Sequence, residues 1–222
     1  MALTYKWNDA IEFLKSYARN IPMDKIGVQT CDAVSSEMWG KFPWKDACQT
    51  IPPEPLIDSV QDYDSPPSFF KLVSAQIVRT LPQPDWYEPL TISVNLPEMG
   101  IPIMPAYIRT VAYQKGLGLL RLANPPVVNA NDAFELHGSY QLTHTRVSSL
   151  DQAVWFSDQL WNVVQEGFLY WGYKLQGNWK GADAQFKVFE NKMVQAWQQE
   201  NQGSADVLDP EVNLGAEMQG GW

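Results

Sequence analysis

Cysteine is scarce in this chain: 222 residues contain two, Cys31 and Cys48. Two thiols without a Cys-x-x-Cys partner build no disulfide framework, and both are expected to stay reduced. Charge is also in short supply, with Asp, Glu, Lys and Arg together making up 18% of the residues. It is lopsided as well, 16 basic against 25 acidic residues for a net charge of -9, and no basic run interrupts that balance. This argues against a protein that wraps nucleic acid, because phosphate contacts need clustered Lys and Arg. No stretch approaches the roughly 18 consecutive apolar residues of a membrane-spanning helix. Met1 to Arg19 carries Asp9 and Glu12 among its apolar residues, so a secretory signal is not expected there.

What is abundant is apolar bulk. Hydrophobic residues make up 45% of the chain and ten residues are Trp. So few charges beside so many large rings imply more buried surface than a monomer of this size provides, hence a subunit of an assembly. The length allows one large domain, or a domain with an inserted module.

The strongest periodicity runs from Leu150 to Glu200. Leu160, Val164, Gly167, Phe168, Trp171 and Leu175 recur three and four apart, which predicts a helix capped by Ser157 or Asp158 and stopped by Gly177. Trp179, Ala182, Phe186, Phe189, Met193 and Ala196 predict a second helix, and the short Gln176 to Asn178 link makes the two a hairpin. Near the start, Trp7, Ala10, Ile11, Leu14, Tyr17 and Ala18 predict a helix over Thr4 to Arg19, ended before Pro22. Asp24 can cap another helix through Ile26, Ala33, Val34 and Met38 to Trp39, closed by Gly40 and Pro43. This N-terminal pair is expected to form a second hairpin that covers the C-terminal one.

Between Phe42 and Val147 lie most of the sixteen prolines, separating short aromatic and β-branched runs. Strands are expected near Ala47 to Ile51, Phe69 to Arg79, Leu90 to Asn95, Tyr107 to Tyr113, Leu117 to Leu122 and Phe134 to Gln141, with a hairpin signal at Lys115-Gly116. After Asn201 the periodicity stops. The expected architecture is therefore α+β: a four-helix bundle formed by N- and C-terminal helix hairpins (1–41 and 148–200), an inserted antiparallel β module (42–147) and an extended C-terminal tail (201–222). Trp161, Phe168, Trp171, Trp179, Phe186, Met193 and Trp197 are expected at the bundle or subunit interfaces. The tail has too little apolar surface to fold alone, and its anchors Val207, Leu208, Leu214, Met218 and Trp222 suit a partner.

Signals for chemistry are weak. His137 and His144 lie seven apart with Glu135 as the only nearby carboxylate, which reads as a structural pair rather than a metal site. No Gly-x-Ser-x-Gly elbow occurs, and Ser148-Ser149 stand where a helix cap belongs. Asp62 and Asp64 sit in a proline-rich turn where a structural role is favoured over acid-base catalysis. Trp86 and Tyr87 offer either a sugar-stacking platform or, by preference, a plug between β module and helices. No catalytic, cofactor-binding or metal-binding residue is assigned, and no cofactor is expected.

Four blocks of residues resemble the head-to-tail connector proteins, the adaptor or neck subunits, of tailed bacteriophages. They are Trp39-Gly-Lys-Phe-Pro-Trp44-Lys-Asp-Ala, Gln61-Asp-Tyr63-Asp-Ser-Pro66-Pro-Ser-Phe69-Phe70, Phe134-Glu-Leu-His-Gly138-Ser-Tyr140-Gln, and Trp155-Phe156-Ser157-Asp158 followed by Glu166-Gly167-Phe168-Leu169-Tyr170-Trp171. The resemblance spans roughly Lys25 to Trp197. It implies a virion structural protein, not an enzyme, that assembles as a ring matching a twelve-fold portal, a dodecamer whose C-terminal extension docks on the portal. The implied partners are sister subunits, the portal protein and a tail or nozzle protein. Packaged DNA would pass through the lumen without specific binding, which a net charge of -9 suits, and no membrane is involved. A tail terminator or nozzle ring, or a carbohydrate-binding module of a tail or lytic protein, are the alternatives.

Overall fold

The computed structural model describes residues 5–17, 26–81, 86–95, 100–114, 117–129 and 131–202. Among the described residues four α-helices are present: α1 (Trp7–Tyr17), α2 (Val28–Lys41), α3 (Trp161–Leu175) and α4 (Trp179–Asn201). Between the second and third lie eight strands: β1 (Cys48–Pro55), β2 (Asp62–Asp64), β3 (Phe69–Leu81), β4 (Tyr87–Pro89), β5 (Thr91–Ser93), β6 (Thr110–Gln114), β7 (Leu119–Leu122) and β8 (Ala133–Leu142). They form two four-stranded sheets, ordered β1-β8-β3-β4 and β2-β7-β6-β5.

The helices do not form a bundle of N- and C-terminal hairpins, and the expected architecture is corrected on this point. α3 and α4 pack along each other, but α1 and α2 each lean on α3 and share at most marginal contact between themselves. Side-chain size explains the arrangement. Trp7 presents its ring to Phe156 at 5.7 Å and to Phe168 of α3 at 6.4 Å. The start of α1 is pinned by the segment before α3, through Trp7 N to Gln152 O, Asn8 N to Leu150 O and Val154 N to Tyr5 O. On another flank of α3, Gly167 lets α2 approach so closely that an added Cβ would lie 2.8 Å from Val34 Cγ1. The apolar stripes of α1 and α2 were correctly oriented toward a core, yet that core is α3 and the chain leading into it.

The β portion is likewise not a single antiparallel module. β5 runs parallel to β6, pairing Thr91 with Thr110 and Ser93 with Ala112, while the other strand pairs are antiparallel. The long β3–β8 ribbon carries three register shifts. At its middle Gly138 meets the Ser74 carbonyl so closely that a side chain has no room. β1 runs through Pro52, Pro53 and Pro55, which an edge strand tolerates because one row of its N–H groups has no ladder to join.

Two hydrophobic cores result. One gathers Trp7, Leu14, Val34, Met38, Trp44, Phe168, Phe189 and Met193 among the helices; the other gathers Leu72, Ile77, Val111, Leu120, Leu122 and Leu136 between the sheets. Leu142 touches both. The joint is polar as well: Gln141 Nε2 donates to the Trp39 carbonyl (2.6 Å) and the Phe42 carbonyl (3.2 Å), and Trp39 Nε1 donates to the Leu142 carbonyl (2.9 Å). Among the described residues no helix is long and apolar enough to cross a membrane.

Candidate interaction surfaces

His137, His144 and Asp62 are committed to local structure, whereas Asp64 is exposed and has no ion pair among the described residues. His137 Nε2 lies 2.8 Å from Glu135 Oε2, two residues back on the same face of β8. His144 is elsewhere, in the strap that leads from β8 to α3, with its Nε2 2.8 Å from Ser35 Oγ. Ser35 is fully buried and accepts from Trp155 Nε1 at 2.9 Å, so its own proton is free to point at the imidazole. Burial pushes the His144 pKa down, with Asp32 pulling weakly the other way. Asp32 receives Val147 N (2.8 Å) and Arg146 Nε (3.1 Å) one turn before Ser35. Asp32 and Ser35 together fasten the strap to α2. Nothing in the sequence marks this link, because its halves stand 109 residues apart.

Asp62 is gripped by Arg121 through two bonds, Nε to Oδ1 (2.5 Å) and an η nitrogen to Oδ2 (2.7 Å), across the β2–β7 pair. These bonds hold its pKa below the usual carboxylate range. A carboxylate bonded this way is a poor proton donor at neutral pH. Among the described residues no three His, Cys, Asp or Glu side chains converge as metal ligands. Both cysteines are free thiols, and burial pushes Cys31 up to about 12 and Cys48 up to about 11.

The aromatic residues divide into fillers and outliers. Phe168 and Met193 are buried in the helical core. Phe186 packs on Tyr170 at 5.1 Å, Trp197 stacks on Phe42 at 5.1 Å and Trp161 on Tyr5 at 4.8 Å. Trp171 lies under the Lys174 ammonium, 4.2 Å from its ring. Trp86 turns its ring edge-on to Phe134 at 6.1 Å, and Tyr87, 68% exposed, stacks on no other ring among the described residues. Trp179 is the exception among the predicted interface residues. Standing first in α4, it is 62% exposed. Val207, Leu208, Leu214, Met218 and Trp222 lie outside the described residues.

Two further apolar surfaces went unnoticed in the sequence. On the β portion, Ile101 (80% exposed), Met104 and Tyr107 project from the segment between β5 and β6, and Ile57, Val94 and Leu117 are open elsewhere on it. Where the two sheets meet, a cleft of about 130 Å³ opens. Its floor is buried Ile51, Tyr63, Leu120 and Leu136; Pro52, Pro67 and the carboxylates of Glu54 and Asp64 stand exposed around it, with Pro66 half-buried between. The alternating in-out pattern of such short strands is too brief to reveal which prolines share a wall.

Three of the four blocks that carry the connector resemblance, those containing Trp39, Gln141 and Trp155, meet at the joint between the cores. Trp39 contacts Gln141 and Leu142 through hydrogen bonds, and its ring is 4.6 Å from that of Trp155. No family model and no curated protein matches this chain.

Proposed function

We propose that the chain is a structural subunit of a tailed-bacteriophage virion, forming an adaptor ring in the neck between portal and tail. The observation that carries this reading is the pair of unlike apolar surfaces, Trp179 on α4 and the Ile101, Met104 and Tyr107 group on the β portion, in a chain with only 18% charged residues. A subunit that must satisfy different neighbours on different sides needs such unlike surfaces, and repeated head-to-tail contacts close into a ring when the rotation between neighbours divides a full turn. The four blocks of residues similar to connector proteins add independent support, and a net charge of -9 keeps packaged DNA from adhering to the lumen. In this reading the ring is a dodecamer, and Val207, Leu208, Leu214, Met218 and Trp222 dock on the portal. The test is electron microscopy and light scattering of the purified chain, alone and mixed with the portal protein of the same phage. Rings that cap the portal are expected; a monomer that never binds the portal would end the proposal.

A further inference from the structure

The cleft between the sheets and the exposed Trp at the head of α4 are complementary in three respects. In size, about 130 Å³ in an open cleft accommodates one edge of an indole, a ring larger than the benzene that an enclosed apolar cavity of roughly 150 Å³ takes. In polarity, the walls include Pro52, Pro66 and Pro67, whose rings suit an indole, while Ile51, Tyr63, Leu120 and Leu136 make a floor that is mostly apolar. In charge, Glu54 and Asp64 edge the cleft with no ion pair among the described residues. Beside Trp179 stands Lys180, exposed and likewise outside those ion pairs. Trp179 of the same chain remains 62% exposed, so it does not fill its own cleft.

We infer that Trp179 of one copy inserts into the Pro52, Pro66 and Pro67 cleft of the next copy, with Lys180 paired to Glu54 and Asp64. This rests on the ring reading and names the contact that builds it. The knob and the hole belong to different surfaces, so the contact is heterologous and propagates from copy to copy rather than ending at a dimer, closing a ring when the rotation between neighbours divides a full turn. A desolvated Trp beside a charge pair is the usual make-up of an energetic centre, with the surrounding contacts excluding water. α4 does not depend on the Trp179 side chain for its start, because Asn178 Oδ1 accepts from Gly181 N at 3.0 Å and caps it.

The experiment uses the full chain with sedimentation velocity and electron microscopy, and circular dichroism to verify folding. Trp179→Ala and Lys180→Glu are each expected to shift the population from rings to monomers by at least tenfold in the concentration required. Combining Lys180→Glu with Glu54→Lys and Asp64→Lys restores rings. If both single variants assemble like the parent, or if the reversed charges fail to rescue, this contact is wrong while the ring reading stands. A parent chain that stays monomeric at all concentrations and beside the portal overturns both.

Discussion

The His144 imidazole is one of the ties between the strap and the helices, and its protonation has a defined direction. Burial favours neutral His144, so the folded state binds that proton less readily than the unfolded chain does. Stability from this group is therefore complete above the unfolded value of about 6.5 and is lost as pH falls toward the depressed folded value. The cationic ring can no longer accept the Ser35 proton. We expect the parent protein to lose melting temperature as pH falls below about 6.5, and His144→Gln to lack that component of the slope. Parallel melting curves for the two proteins would refute the assignment. The sequence already cast the two histidines as structural, but the partner of His144 was illegible. A hydrogen bond to a serine on a distant helix leaves no local pattern.

At the scale of elements, α3 is the axis on which the other helices are hung, and Gly167 is where they come nearest. A Cβ there would meet Val34 at 2.8 Å and the Phe189 ring at 3.0 Å. Gly167→Ala gains about 1 kcal/mol of helix propensity but incurs overpacking of about 1–3 kcal/mol. The expected outcome in urea titration is a net loss of stability, partly recovered in the Gly167→Ala, Val34→Ala double variant. Helical periods for α3 and α4 were legible because their stripes are long and their link is short. The partner of α1 was not, since a stripe such as Trp7, Ile11 and Leu14 reveals which face is apolar and not which surface covers it. β2 and β4 escaped for another reason: three residues such as Asp62 to Asp64 are too few to display a period of two. The parallel pairing of β5 with β6 depends on the path of the intervening chain, which no composition records.

For the whole molecule, the decisive feature is that two cores share a narrow joint. Gln141, only 1% exposed, supplies protons to two carbonyls on the helical side. Replacing it with Ala strands those acceptors, at about 1–3 kcal/mol. Its larger effect is expected on cooperativity. In the parent, hydrogen exchange of α3 amides and of β3 amides should collapse together as denaturant rises; in Gln141→Ala the two should separate, the mark of lost two-state behaviour. Coincident collapse in the variant would show that Leu142 packing and the Trp39 Nε1 bond couple the cores without Gln141. The candidate docking surfaces were only half legible at this scale. Trp179 was named from its heptad place, yet the cleft that complements it is assembled from four strands and a loop.

The prolines of β1 bear on how copies of the protein behave when crowded. An open sheet border is a template on which a foreign strand can stack. Pro52, Pro53 and Pro55 deny that border the amide protons such a strand would need, so edge-to-edge association through β1 is disfavoured.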